Sequence, residues 1–268
     1  MTITTIPSGQ IEETTVTLNE VGDVLIVEGD ITAQPAVISQ GDFNHIFVQA
    51  GALLESENAT VQIEGNNTSV VNNGVIDGAV IDIVNGGEAS ATIVNTGTII
   101  TRQRAINMGG AANNVINNGT IVLRDDPSKG VLYVNPSAQR FSIDNQTNGS
   151  IDVGVENDGD AIFVALGETV DGSIVNHGAI YGRGGADLQE SAAIRIEKGA
   201  DVAATATLNG SIMNSGLLSA ETNATILIKD DVFLSGTITN NGEIEGGVYK
   251  SNGAKLAIDG RTAANLVD

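Results

Sequence analysis

The chain has 268 residues, 41% of them hydrophobic but only 3% aromatic, so its core must be assembled from Val, Ile, Leu and Ala in thin, similar layers. Twelve basic residues against 33 acidic ones leave a formal charge of −21, which repels phosphate backbones and anionic lipid and argues against nucleic acid or a membrane surface as partner. Cysteine is absent, which removes disulfides and thiolate metal sites.

Residues 1–13, opening MTITTIPSGQ, have neither the basic nor the apolar region of a secretory signal and read as a cap or lead-in. No later run reaches the length of a membrane span, so no membrane insertion is expected. Any export signal then lies elsewhere.

From residue 14 to 250 the chain repeats itself. VVNNGVI (70–76) returns as IVNTGTI (93–99), VINNGTI (115–121), IVNHGAI (174–180), IMNSGLL (212–218) and ITNNGEI (238–244), with a stretched copy, IDNQTNGSI, at 143–151. The recurring asparagines are Asn72, Asn95, Asn117, Asn145, Asn176, Asn214 and Asn240. FVQAGAL (47–53) reads as an earlier copy with Gln49 in the Asn place. A second marker, a three-residue apolar strand, begins at 16, 37, 61, 81, 106, 132, 162, 194, 226 and 248. Both markers share one irregular period, 20 to 32 residues by the strand marker, with no amphipathic helical run inside it.

That period fits one turn of a solenoid in which short strands are joined by bends and each turn stacks on the last at about 4.8 Å. The predicted fold is all-β: a single-stranded, right-handed parallel β-helix of about nine to ten turns with an internal Asn ladder, a rod about 45 Å long. An antiparallel sandwich or a propeller also uses short alternating strands, but a sandwich gives no reason for Asn to recur at one phase, and a propeller blade of about 40 residues is longer than most of these periods. The corner reading assigns positive φ to its Gly and Asn residues, and stacks the Asn amides in a column that hydrogen-bonds along the axis. Residues 251–268, ending RTAANLVD, lack the Asn-x-Gly corner and read as a cap or a truncated turn.

On these residues the chain resembles the Asn/Gly-rich β-helical repeats of secreted bacterial surface proteins: autotransporter passengers, filamentous-haemagglutinin-like adhesins and the repeat regions of type I secreted proteins. The resemblance covers about residues 14–250, and the degenerate N-x-G-x-I motif points to an architecture more than to one family. It implies an extracellular or cell-surface location and a scaffold or adhesin-like role. Neither a G-G-x-G-x-D calcium-roll repeat nor a C-terminal membrane barrel is present in these residues.

Carbohydrate-cleaving enzymes also use β-helices, and they need acidic and basic groups together on one outward face. The outward column of the three-residue strand reads Thr17, Ile38, Gln62, Asp82, Asn107, Tyr133, Phe163, Arg195, Leu227, Tyr249. Its two charges, Asp82 and Arg195, are four turns apart, about 19 Å, beyond any shared reacting atom. No catalytic residue is assigned, and a polysaccharide lyase or hydrolase is kept as the alternative to a non-catalytic scaffold. Tyr133, Phe163 and Arg195 on consecutive turns form the candidate binding patch, suited to a glycan or a partner's side chain, unless the long bends fold over them. Glu156, Asp158 and Asp160 suggest Ca²⁺ as the one cofactor to consider, although a solvated turn is favoured because the complete calcium-loop spacing is absent. His45 and His177 lack neighbours for a triad or a zinc site, so no metal residue is assigned. In five of the seven copies two adjacent apolar columns (70, 93, 115, 174, 212 and 71, 94, 116, 175, 213) precede the Asn and face opposite ways unless a bulge at the corner alters the phase; an outward apolar stripe would favour lateral self-association, and exposed terminal strands would favour end-to-end stacking.

Overall fold

The fold was analysed in a computed structural model, which describes residues 1–268 apart from 84–87, 125–129, 155–158, 184–190, 204, 230, 251–265 and 268. Every described element is a β-strand, and every strand-to-strand ladder is parallel. The chain is a parallel β-helix. Each turn contributes a strand to three faces in fixed order, so the first turn runs Ile3–Ile6, Ile11–Glu12, Val16–Leu18 and the second Val24–Val27, Asp30–Thr32, Val37–Ser39. Among the described residues ten such turns follow one another, and Leu266–Val267 pairs with the last strand of the third face. The residues set apart as a lead-in, 1–13, therefore carry two strands of the first turn.

Alternation of side chains produces the hollow of the coil. On the first face Leu25, Ile46, Val70, Ile93, Val115, Ile143, Ile174, Ile212 and Ile238 stack directly on one another and are buried. The three-residue strand markers all fall on the third face and pair in register from Val16 through Val248. Because β-branched side chains fit a pleated, closely stacked surface, identical layers suit this core. One aromatic enters it. Phe141 is 1% exposed, and a Cβ on Gly172 in the next turn would lie 2.1 Å from its ring, so that glycine vacates the space the ring fills.

The corner between first and second faces holds the ladder. Asn72 Nδ2 donates to Asn95 Oδ1 at 2.8 Å, and the same bond repeats from Asn95 to Asn117, to Asn145, to Asn176, to Asn214 and to Asn240, none longer than 2.8 Å. Each of the first six amides also donates to a backbone carbonyl one turn on, as Asn117 does to Ser150 at 3.2 Å. All seven side chains are at most 2% exposed. Buried amides without such partners would cost about 1–3 kcal/mol each.

Two details of the corner differ from the sequence expectation. Positive φ is not the reason for its glycines: none of the Asn or Gly residues of the seven copies adopts it, and among the described residues the non-glycines that do are Phe43 and Asn67. Stacking is the reason. A Cβ on Gly97, Gly119, Gly178, Gly216 or Gly242 would sit 2.1–2.2 Å from the carbonyl oxygen of the corner glycine one turn before it. Secondly, Gln49 does not take the Asn place. Val48 aligns with Asn72, as Val27 aligns with Val48, so the ladder begins in the fourth turn and is preceded by an apolar column. Gln49 belongs to a corner two residues longer, closed by Gly51 at φ +89°.

Near the N-terminus a different polar network holds the corner between third and first faces. Asn44 Nδ2 donates to Leu18 O and Ser39 Oγ, Asn44 Oδ1 accepts from Asp23 N, and Ser39 Oγ contacts Thr68 Oγ1 at 3.0 Å. Asp23 in turn accepts from Glu20 N at 3.0 Å and Thr2 N at 2.6 Å, which holds its carboxyl below the usual range.

Two outcomes are expected. Replacing Asn117 by Ala lowers stability by about 2–4 kcal/mol in chemical denaturation, because it strands the Asn145 acceptor and takes the acceptor from Asn95, whereas Asn73→Ala at the exposed neighbouring place changes it by less than about 0.5 kcal/mol. Since the folded pKa of Asp23 is depressed, its contribution is present above the unfolded value of about 3.9 and is lost as pH falls through the lower folded value. Protection factors against hydrogen exchange at Thr2 and Glu20 should therefore fall on acidification, and Asp23→Asn should remove that pH dependence.

Candidate functional site

The residues that differ most between turns gather on the third face of turns five to eight. There the strands Ile106–Met108, Leu132–Val134, Ile162–Leu166 and Ile194–Lys198 stack in register, placing Asn107, Tyr133, Phe163 and Arg195 in one outward column. The predicted patch is thus assembled as its spacing implied. Asp82 lies beside Asn107 on the turn before, three rungs from Phe163 and four from Arg195. Bends of very different length lead into these strands yet return to one column, since Ala105 N donates to Val131 O, Val131 N to Asp160 O and Ala161 N to Ala192 O.

Exposure is where the patch departs from an open platform. Tyr133 is 8% and Phe163 7% exposed, and with Ala165 they form a small apolar cluster outside the main core. Their rings are 5.4 Å apart and tilted by 39°. Arg104 lays its guanidinium 3.9 Å from the centre of the Tyr133 ring, and Arg195 stands 5.3 Å from that of Phe163. Each ring therefore already has a cation partner. Gly130, at φ +87°, presses its backbone against Phe163, where a Cβ would come within 2.6 Å of the Phe Cβ.

Arg195 is held from both sides. It donates to Glu197 at 2.6 and 3.0 Å and lies 3.7 Å from Asp160, with its side chain 14% exposed. Asp160 also accepts from Ala192 N at 2.7 Å, which ties it to the bend before the Arg195 strand. Of the Ca²⁺ candidates, Glu156 and Asp158 lie outside the described residues, and Asp160 is engaged as a structural acceptor. Among the described residues no three or more His, Asp or Glu side chains converge as a metal-binding group.

Burial pushes the Tyr133 hydroxyl above the ordinary phenol range, while Arg104 over its ring pulls it partly back. Burial also lowers Arg104, against the opposing charge of Tyr133 and Asp82. Asn107 Nδ2 donates to Asp82 at 2.6 Å, and Asn107 Oδ1 is buried without a partner. A third cation, Arg183, makes two bonds of 3.1 Å to Asp152 and one to Glu221, and these raise its pKa further.

Sequence reasoning missed Arg104 and the Asp160–Arg195–Glu197 contacts. Arg104 lies two residues before the strand at Ile106, in a bend whose basic character among so many acidic ones was the available signal. His45 and His177 are exposed; the first stacks beside Phe47 at 6.1 Å and the second contacts Ser215 Oγ on the adjacent corner. Of the two apolar columns, Val71, Val94, Ile116, Val175 and Met213 are the outward ones, on the first face. The chain matches no protein-family model, no curated protein and no solved structure.

Tyr133 gives the patch a measurable signature. A phenol whose folded pKa is raised keeps its full contribution below the unfolded value of about 10 and loses it as pH climbs through the folded value. An absorbance titration of the folded protein should show a late-ionising tyrosine, absent in Tyr133→Phe, and alkaline unfolding of that variant should begin at higher pH.

Proposed function

We propose that the protein is a non-catalytic scaffold: a rigid, acidic β-helical segment with an adhesin-like or stalk-like role, extracellular or at a cell surface. The observation that carries this reading is the unbroken amide ladder from Asn72 to Asn240, which commits seven buried side chains to holding turn upon turn. Such a column maintains register from the fourth turn to the tenth, which is what a spacer or display element requires. The patch of Tyr133, Phe163 and Arg195 supports the same reading, because its groups bind one another and Arg195 engages Asp160. The resemblance of the Asn-x-Gly repeat to secreted surface proteins supports the location, and the charge of −21 suits a solvated exterior.

Surface labelling and fractionation of producing cells test the location, with the protein expected outside the cytoplasm. Incubation with a panel of neutral and acidic polysaccharides tests the absence of catalysis. No new reducing or unsaturated ends are expected, and their release by the protein, lost on Asp82→Asn or Arg195→Ala, would replace the scaffold with a carbohydrate-cleaving enzyme.

A further inference from the structure

The first face is unlike the rest of this acidic rod. Among the described residues its eleven strands contain two acidic residues, Asp144 and Asp171, against eleven in the strands of the other two faces. Along it runs an outward apolar ridge of Phe47, Val71, Val94, Ile116, Val175 and Met213, one residue per turn, interrupted by Asp144. Met213 is 45% exposed, and the others are partly exposed. Parallel to the ridge lies a shallow groove of about 500 Å³, with Thr92, Asn114, Ser142, Ser173 and Ser211 on one side and Arg140, Asp171 and Asn209 on the other.

Asp144 is anomalous in this setting. It is a carboxylate between Ile116 and Val175, it accepts one long bond from Gln146 Nε2 at 3.4 Å, and its Oδ1 is buried without a partner. On the same strand, four residues away, Arg140 holds a 69% exposed guanidinium in a weak surface contact with Asp171 at 3.8 Å. An acid and a base at the two edges of one strand, ridge on one side and groove on the other, form a self-complementary pattern.

We propose that two copies of this chain associate side by side and in parallel through their first faces, about a two-fold axis running along the rod. Such an axis reverses left and right on the facing sheet while keeping every turn opposite its own counterpart. The ridge of each copy then lies over the groove of the other, and Asp144 of each meets Arg140 of the second copy. Since both surfaces repeat at one rung spacing, ridge and groove match along their length. The face spans about 29 Å along the rod and about 20 Å along the strands, from about 4.8 Å per rung and 3.3 Å per residue, which is about 600 Å² per copy and 1,200 Å² in total. That meets the lower bound of about 1,200 Å² for a specific interface. Elsewhere two such rods repel each other, so charge selects this face.

Sedimentation equilibrium of the purified chain tests this. A concentration-dependent monomer–dimer equilibrium is expected. Val94→Lys and Val175→Lys, at solvent-facing positions, should raise the dissociation constant at least about tenfold, equivalent to about 1.4 kcal/mol, with unchanged circular dichroism. Thr98→Lys on the second face should leave it unaltered. Arg140→Asp alone and Asp144→Arg alone should each weaken the dimer, and the double reversal should restore it. A chain that stays monomeric at every concentration, a dimer insensitive to Val94→Lys, or a double reversal that fails to recover association overturns the proposal, as does a monomer whose groove takes up a soluble neutral glycan. None of these results depends on where the protein resides or whether it is catalytic.

Discussion

Everything in this molecule follows from having to place each turn about 4.8 Å above the last at the same corner. A chain that bends sharply brings backbone donors and acceptors out of the sheet ladder, and stacking buries them under the next turn. From the fourth turn on, the Asn column resolves this by giving the corner a side-chain amide that bonds up the axis and across to the neighbouring strand. The Gly two residues later is the complementary demand, because its missing Cβ lets one corner settle onto the carbonyl of another. Asn and Gly are thus two halves of one packing solution, and neither is explained by backbone conformation alone.

A corner pinned in this way frees the rest of the turn to vary. The bends before the third-face strands of turns six to eight are the long ones, and they re-enter the stack through the same backbone bonds at Val131, Ala161 and Ala192. Beside them Tyr133, Phe163 and Arg195 occupy the outward column, with Arg104 reaching over Tyr133 from the bend before Ile106. Stacking also brings like residues of successive turns together, which penalises adjacent carboxylates. The second face shows the response: Asp77 is met by Arg124 at 3.4 Å, and Asp152 by Arg183 at 3.1 Å. On the first face the solution is different, with acids nearly eliminated, and this leaves a neutral surface on a protein of charge −21.

The predicted ladder was legible because a polar residue recurring at an inward phase has few roles other than stacking on its own copies. The outward column from Thr17 to Leu227 was equally readable, since a three-residue strand with apolar ends has one inward and one outward phase. Gln49 was misplaced because Asn-x-Gly spacing was matched by Gln-Ala-Gly, and only the pairing of Val48 with Asn72 reveals the longer corner. Arg104 escaped notice because bends carry no periodicity, so nothing in the chain order relates residue 104 to residue 133.

By itself, then, the sequence determined the solenoid, its nine to ten turns and the identity of the seven ladder residues, because side-chain alternation and repeat period are properties of chain order. Tertiary structure alone decided how the corners satisfy their glycines, which apolar column faces outward, and that Tyr133 and Phe163 are covered by arginines instead of lying open. The physical reason is common to all three. Each depends on the distance between atoms on neighbouring turns, and a repeat of irregular length conceals that distance until the turns are stacked.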